Sequence, residues 1–180
     1  TMPRDAVAVS RADAEALTVL ARALDRVGLG AAVIEVGHAR FAREVVGAAG
    51  LSPAARAEAA AALARKDEGA LAALAKRARG PAAAREAVPA LAGLYGDRAL
   101  ERAREVAAAA PPAAGPLAEV EAALKLARRR GVTGVAVDLG EVQGLGYYTR
   151  STFAGYAPGA GSAVAAGGRY DGLLARLGRP

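Results

Sequence analysis

Residues 143–150 read Gln-Gly-Leu-Gly-Tyr-Tyr-Thr-Arg, and residues 167–173 read Gly-Gly-Arg-Tyr-Asp-Gly-Leu. The alternation from Tyr147 to Ala157 predicts a strand. Pro158 to Gly161, with its two glycines, predicts a turn, so Ser162 to Ala166 returns antiparallel. A side-chain period of two puts Tyr148, Arg150, Thr152, Ala154 and Tyr156 on one face, and Tyr147, Thr149, Ser151, Phe153 and Gly155 on the other. Five of the seven aromatic residues fall in this last stretch, as Tyr147, Tyr148, Phe153, Tyr156 and Tyr170. Phenol rings offer apolar walls with directional hydroxyls, so a small polar ligand fits here. Packing of a sheet against helices explains the same rings, and composition alone favours packing. Gly144, Gly167 and Gly168 permit close backbone approach or positive φ, and are equally ordinary turn residues. Arg169 beside Asp171 fits an internal ion pair, an anion contact or a partner contact, with nothing in the spacing to decide. Asp171 is placed to cap a short helix running through Leu177.

Upstream the pattern becomes helical. Ala14, Leu17, Leu20, Ala21 and Leu24 predict an amphipathic helix over Arg11–Val27, with Ser10 as N-cap and Gly28 as stop. Ala31 to Val36 reads as a buried strand, and a helix follows from about Ala39 to Ala49, closed by Gly50. His38, the sole imidazole, suits the start of that helix better than a general base, since no carboxylate or nucleophile pairs with it in sequence. Ser52 before Pro53 is an N-cap followed by proline at the first helical position. Helical text then runs to about Arg79 with a break near Asp67–Gly69, and resumes over Arg85–Leu94 and Asp97–Ala109. The cluster Pro111, Pro112, Gly115, Pro116 ends this region. Leu117–Arg130 is one more helix, its terminal Arg128, Arg129 and Arg130 suiting the negative end of the helix dipole. Val132 to Leu139 is a strand, with Asp138 and Glu141 near its end. The expected organisation is a core segment over residues 1–50, an all-helical insert over 51–116 and a second core segment over 117–180.

Composition narrows the chemistry. Of 180 residues 52 are alanine, so the core is thin in bulky side chains. Zero cysteine excludes disulfides, thiolate metal sites and a cysteine nucleophile, and one histidine excludes clustered imidazole ligands. The net charge of +6 comes from 21 arginines spread along the whole chain and does not by itself indicate nucleic-acid binding. No apolar run approaches the ~20 residues that span a bilayer, and no signal pattern opens the chain, so a cytoplasmic location without membrane partners is expected.

Taken together, the two quoted stretches resemble the histidine signatures of histidyl-tRNA synthetases and their relatives, Arg-Gly-Leu-Asp-Tyr-Tyr and Gly-Gly-Arg-Tyr-Asp-Gly-Leu. The resemblance implies an α+β fold, part of the class II aminoacyl-tRNA synthetase-like catalytic domain, with its antiparallel sheet and a helical insert. It implies histidine-binding positions at Gln143, Gly144, Tyr147, Tyr148, Gly167, Gly168 and Tyr170, with Glu141 and Arg169 as further contacts. No catalytic residue, metal or cofactor is implied. Gln143 stands where the synthetases carry an arginine, and a neutral amide cannot make the charge-assisted, bidentate contacts of a guanidinium. Gly146 replaces the acidic residue. Phe41, Ala42, Arg43, Glu44 only faintly mimics the upstream arginine motif, with its arginine displaced and in a predicted helix. These departures, the hairpin Phe153–Gly161 and the alanine-rich insert resemble the non-aminoacylating paralogues that serve as regulatory subunits of ATP phosphoribosyltransferase in histidine biosynthesis. That family implies a short-form catalytic subunit as partner, self-association through a dimer core, histidine as ligand and no use of tRNA. The alternative is a divergent synthetase that forms histidyl-adenylate. The chain is shorter than either relative, as a fragment would be.

Overall fold

A computed structural model describes residues 4–141 and 147–178. Gln143 and Gly144, two of the expected ligand positions, lie outside the described residues, as do Leu145 and Gly146. In chain order the elements are α1 (Arg4–Arg26), β1 (Val33–His38), α2 (Phe41–Ala48), α3 (Pro53–Ala64), α4 (Glu68–Arg77), α5 (Ala82–Ala87), α6 (Ala99–Ala109), α7 (Ala114–Arg129), β2 (Val135–Val137), β3 (Ser151–Tyr156), β4 (Ala165–Gly168) and α8 (Leu173–Arg176). Short 3-10 segments lie at Pro89–Gly93 and Pro111–Ala113. The fold is α+β, with a mixed sheet ordered β2-β1-β3-β4. The chain divides into two compact units: residues 4–37, 118–136 and 147–178 form one, and 38–117 with 137–141 form the other.

In the first unit Leu17 and Leu24 of α1, Ile34 and Val36 of β1, and Val120 and Leu124 of α7 are buried. The α1 helix packs on β3, where Gly155 leaves room for Leu24; a Cβ there would stand 3.1 Å from Leu24 Cδ1. Antiparallel pairing joins β3 to β4, with Thr152 opposite Gly168 and Phe153 opposite Gly167.

Several expected boundaries shift. Ser10 is not an N-cap but a buried residue inside α1, which starts at least as early as Arg4. No glycine or proline stands between Arg4 and Ser10, so helix propagation wins over a cap. The expected strand Val132–Leu139 shrinks to β2, because Gly134 takes φ +65 and the Asp138 side chain folds back to accept the Gly140 N–H at 2.9 Å. The return strand lies over Ala165–Gly168 rather than Ser162–Ala166, since the turn at Pro158 and Gly159 (φ +80) opens into a wider loop that closes when Val164 N–H donates to Gly155 O at 2.8 Å. Gly167 and Gly168 are therefore strand residues and not a turn. α7 begins at Ala114, so Gly115 and Pro116 lie in its first turn, where a missing N–H costs nothing.

The second unit is a helical assembly built largely from alanine. The Ser52 hydroxyl accepts the Ala55 N–H at 3.3 Å with Pro53 at the first helical position, as the sequence predicts. The Asp67 carboxylate caps α4 by accepting the Ala70 N–H at 2.9 Å. Small side chains let backbones meet. Gly50 (φ +73) and Gly80 cross so closely that a Cβ on Gly80 would lie 2.4 Å from Ala48 O, while the Gly80 N–H donates to Ala49 O at 2.8 Å. Phe41, Val45, Leu63, Leu71, Leu91 and Leu94 fill the centre. His38 is buried, and its Nδ1 accepts the Arg40 N–H at 3.1 Å just ahead of α2, whose first turn has no side-chain capping bond. Phe41 and Ala42 are core residues of that helix and Arg43 lies on its exposed side, donating to Ala39 O at 2.6 Å.

Candidate functional site

Three tyrosines from the two signature stretches converge in the first unit. The ring centroids of Tyr147 and Tyr148 are 4.6 Å apart, Tyr147 and Tyr170 meet edge-on at 5.9 Å, and Tyr148 and Tyr170 are 6.2 Å apart. These spacings are those of favourable aromatic pairs. Tyr147 and Tyr148 precede β3 rather than belonging to it, so they do not point to opposite faces as the alternation predicts. The strand rule applies only from Ser151 onward.

Tyr148 is the buried member and Tyr170 the exposed one. Burial, then the hydrogen bond with Tyr147 and the nearby phenols of Tyr147 and Tyr170, push the Tyr148 hydroxyl up to about 12. It is a neutral hydroxyl throughout the physiological range, able both to donate and to accept. The glycine pair makes this arrangement possible. A Cβ on Gly168 would lie 2.6 Å from Tyr148 Cδ1 and 2.9 Å from Ser151 O, and one on Gly167 would lie 2.7 Å from Phe153 Cε2. Two aromatic rings thus lie against two bare backbones, and that steric demand, rather than positive φ, explains the paired glycines.

Below the rings runs a polar lattice. Thr149 N–H donates to Arg169 O at 2.8 Å and Arg169 N–H to Ser151 O at 2.9 Å, which extends the β3–β4 ladder past the strand ends. The Thr149 hydroxyl donates to Asp171 Oδ2 at 2.9 Å, and Asp171 N–H donates back to Thr149 Oγ1 at 3.2 Å. Asp171 therefore braces the signature strands instead of capping α8. Arg169 reaches Asp13 of α1 through Nε at 3.0 Å and Nη2 at 2.8 Å, and also donates to Val9 O at 3.2 Å. Asp13 accepts the Ser151 hydroxyl at 2.8 Å as well. Burial opposes the Arg169 charge, but its hydrogen bonds and charge pairing with Asp13 and Asp171 outweigh that and hold it above the ordinary arginine range. Arg150 pairs with Glu119 of α7 and, at 3.6 Å, with Asp171.

Of the three roles open to Arg169, the structure shows the internal ion pair. A shallow cavity of about 280 Å³ nonetheless opens beside it, lined by Ala12, Asp13, Phe153, Gly168, Tyr170 and Asp171 among others. Glu141 is half-buried and belongs to the second unit. Asp13 and Glu119 are the site-supporting residues that the sequence did not reveal. They stand 156 and 31 positions from their arginine partners, and no local spacing links them.

The sequence model for histidyl-tRNA synthetase matches residues 7–180. This chain belongs to that family. It is 75% identical over 169 residues to an ATP phosphoribosyltransferase regulatory subunit from Anaeromyxobacter sp. (strain Fw109-5), covering 94% of this chain and 49% of that protein. The corresponding subunit from Geobacter sulfurreducens is 37% identical over 171 residues, covering 94% of this chain and 39% of that one. The chain thus spans about half the length of the curated relatives it matches, or less. Among solved structures, an ATP phosphoribosyltransferase regulatory subunit/histidyl-tRNA synthetase from Bacillus halodurans superposes with a TM-score of 0.80 at 26% identity, over 95% of this chain and 45% of that one. A histidyl-tRNA synthetase from Nostoc sp. PCC 7120 superposes with a TM-score of 0.74 at 18% identity, over 93% of this chain and 42% of that one, a likeness of fold alone. Among the described residues no helix is long and apolar enough to cross a membrane.

Proposed function

We propose that this chain is the histidine-recognising part of a noncatalytic regulatory subunit of ATP phosphoribosyltransferase. The observation that carries the reading is the pairing of a supported tyrosine cluster with an uncharged Gln143 in the first signature. Tyr147, Tyr148 and Tyr170 retain walls and hydroxyls for an amino acid. The position that would offset negative charge during activation of that amino acid carries an amide. Losing one preorganised donor of this kind costs about 10²–10³ in rate, and losing a full charge costs more. Relatives up to 75% identical carry the regulatory-subunit name, which supports the same direction.

On this reading Gln143, Gly144 and the backbone at Gly167–Gly168 complete the histidine contacts. Glu141 and Arg169 contribute at its edge, Arg169 by holding β4 against α1. The core over residues 1–50 and 117–180 carries the ligand, and the insert over 51–116 is a separate helical element. The subunit self-associates, works with a short-form catalytic subunit in the cytoplasm, needs no cofactor and leaves tRNA alone.

The test uses the full-length protein mixed with a short catalytic subunit. Restoration of phosphoribosyl-ATP synthesis, inhibited by added histidine, is the expected result, whereas no activation at any mixing ratio overturns the proposal. Histidine-dependent ATP–pyrophosphate exchange by the protein alone would instead support a divergent synthetase.

A further inference from the structure

We infer that the first unit carries a second ligand site, an anion pocket for a small phosphate ester, at the place where the ends of α1 and α7 meet the start of β1. The cavity measures about 220 Å³ and is lined by Thr18, Arg22, Asp25, Arg130 and Thr133 around apolar Leu24, Leu29 and Ile34. No residue of either signature lines it.

The two helices end in the same way. Gly28 (φ +81) and Gly131 (φ +84) turn the chain, while Leu29 N–H donates to Leu24 O at 2.8 Å and Val132 N–H to Ala127 O at 3.1 Å. Both ends are thus sealed by backbone, with glycine supplying the left-handed residue. Arg26, Arg128 and Arg129 occupy the last turns, where they complement the helix dipoles. Arg22 lies a turn earlier, and Arg130, which directly follows α7, lines the cavity as well as standing at the helix end. Among the described residues no carboxylate is within ion-pair distance of any of these five arginines.

Two guanidiniums, Arg22 and Arg130, line the cavity against one carboxylate, Asp25, while Arg26, Arg128 and Arg129 answer the two helix ends, worth about half a negative charge each. The lining is net positive by one charge, around an indentation with hydroxyls on its wall. Thr18 Oγ1 is already committed to Ala14 O at 2.6 Å, whereas the Thr133 side chain stands exposed. Paired guanidiniums match phosphate oxygens in a planar, bidentate way. The volume lies below the ~300–1,000 Å³ of drug-sized pockets, which favours inorganic phosphate or a small monoester over a whole nucleotide. Asp25 opposes an anion, but its Oδ1 lies over Gly30, where a Cβ would be 2.9 Å away.

The test is isothermal titration of the full-length protein with inorganic phosphate at constant ionic strength, with chloride as the reference salt. Saturable binding is expected. Arg22→Gln and Arg130→Gln each weaken it roughly ten- to a hundredfold, as loss of a charge-assisted hydrogen bond does. Asp25→Asn tightens it, and circular dichroism and melting temperature verify that each variant folds. Arg26→Gln removes a neighbouring charge that does not line the cavity and leaves the affinity within about twofold. No saturable binding up to 10 mM overturns the site, and so does an equal loss with Arg26→Gln, which marks a diffuse field only. Because histidine binding and partner activation are separate readouts, either proposal can fail while the other stands.

Discussion

Gly50 and Gly80 in the helical unit and Gly167 and Gly168 in the signature hairpin are two pairs of glycines that do different work. In the first pair backbone lies against backbone, with a virtual Gly80 Cβ 2.4 Å from Ala48 O. In the second, backbone lies against rings, Phe153 at Gly167 and Tyr148 at Gly168, although Gly168 also faces the Ser151 carbonyl oxygen at 2.9 Å. A main chain packed against another cannot retreat, whereas a ring has rotamers, and Phe153 also borders a cavity. The helical unit is therefore brittle at its close approaches, and the signature site is adjustable. An adjustable wall suits a surface that must admit a ligand.

The sharpest way to break this contrast is Gly140→Ala in the second unit, where the new Cβ would meet the Leu91 carbonyl oxygen at 2.0 Å. A loss of about 3 kcal/mol or more is expected in urea denaturation, since neither main-chain group can yield. Next is Asp13→Ala, which strips Arg169 and Ser151 of their shared acceptor. Breaking such a pair costs about 3 kcal/mol and also loosens β4, so the histidine affinity of the full-length protein falls with stability. Gly167→Ala probes the adjustable wall: about 1–3 kcal/mol in stability is expected as the Phe153 ring is displaced, by the same urea denaturation. Should Gly167→Ala prove as destabilising as Gly140→Ala, the contrast between the units is wrong.

Two smaller effects sharpen it. Burial raises the Tyr148 pKa to about 12, above an unfolded value near 10. A raised folded pKa gives stability that is fully present below pH 10 and is lost as pH climbs through 12, at no more than about 1.4 kcal/mol per pH unit. Melting curves between pH 9 and pH 12 are expected to fall more steeply for the native protein than for Tyr148→Phe. Ser52→Ala, which removes the acceptor for Ala55 N–H, costs about 1 kcal/mol by the same denaturation assay and leaves histidine binding unchanged.

The sequence was most legible where structure is local. Ser52 with Pro53, the break ahead of α4, and Gly28 and Gly50 as helix stops all act within four or five residues, and each stands where the pattern placed it. The signature stretches were legible as a resemblance and as a concentration of aromatics. The strand boundaries around them were not. Alternation put Tyr147 and Tyr148 on opposite faces, yet their rings meet at 4.6 Å because the chain becomes a strand only at Ser151. Ser10 misled for the same kind of reason. A residue that caps helices well also sits inside one when nothing upstream interrupts the turn.

The sequence by itself determined the helical composition of the second unit, the two signatures and the neutral amide at position 143, because propensity, capping and side-chain charge are carried by residues and their near neighbours. Only the tertiary structure decided that Arg169 is held by Asp13, that Arg150 is held by Glu119, and that two helix ends bring Arg22 and Arg130 to one cavity. Those pairings join positions up to 156 residues apart. Coulomb attraction and steric fit act through space, and distance along the chain carries no record of them.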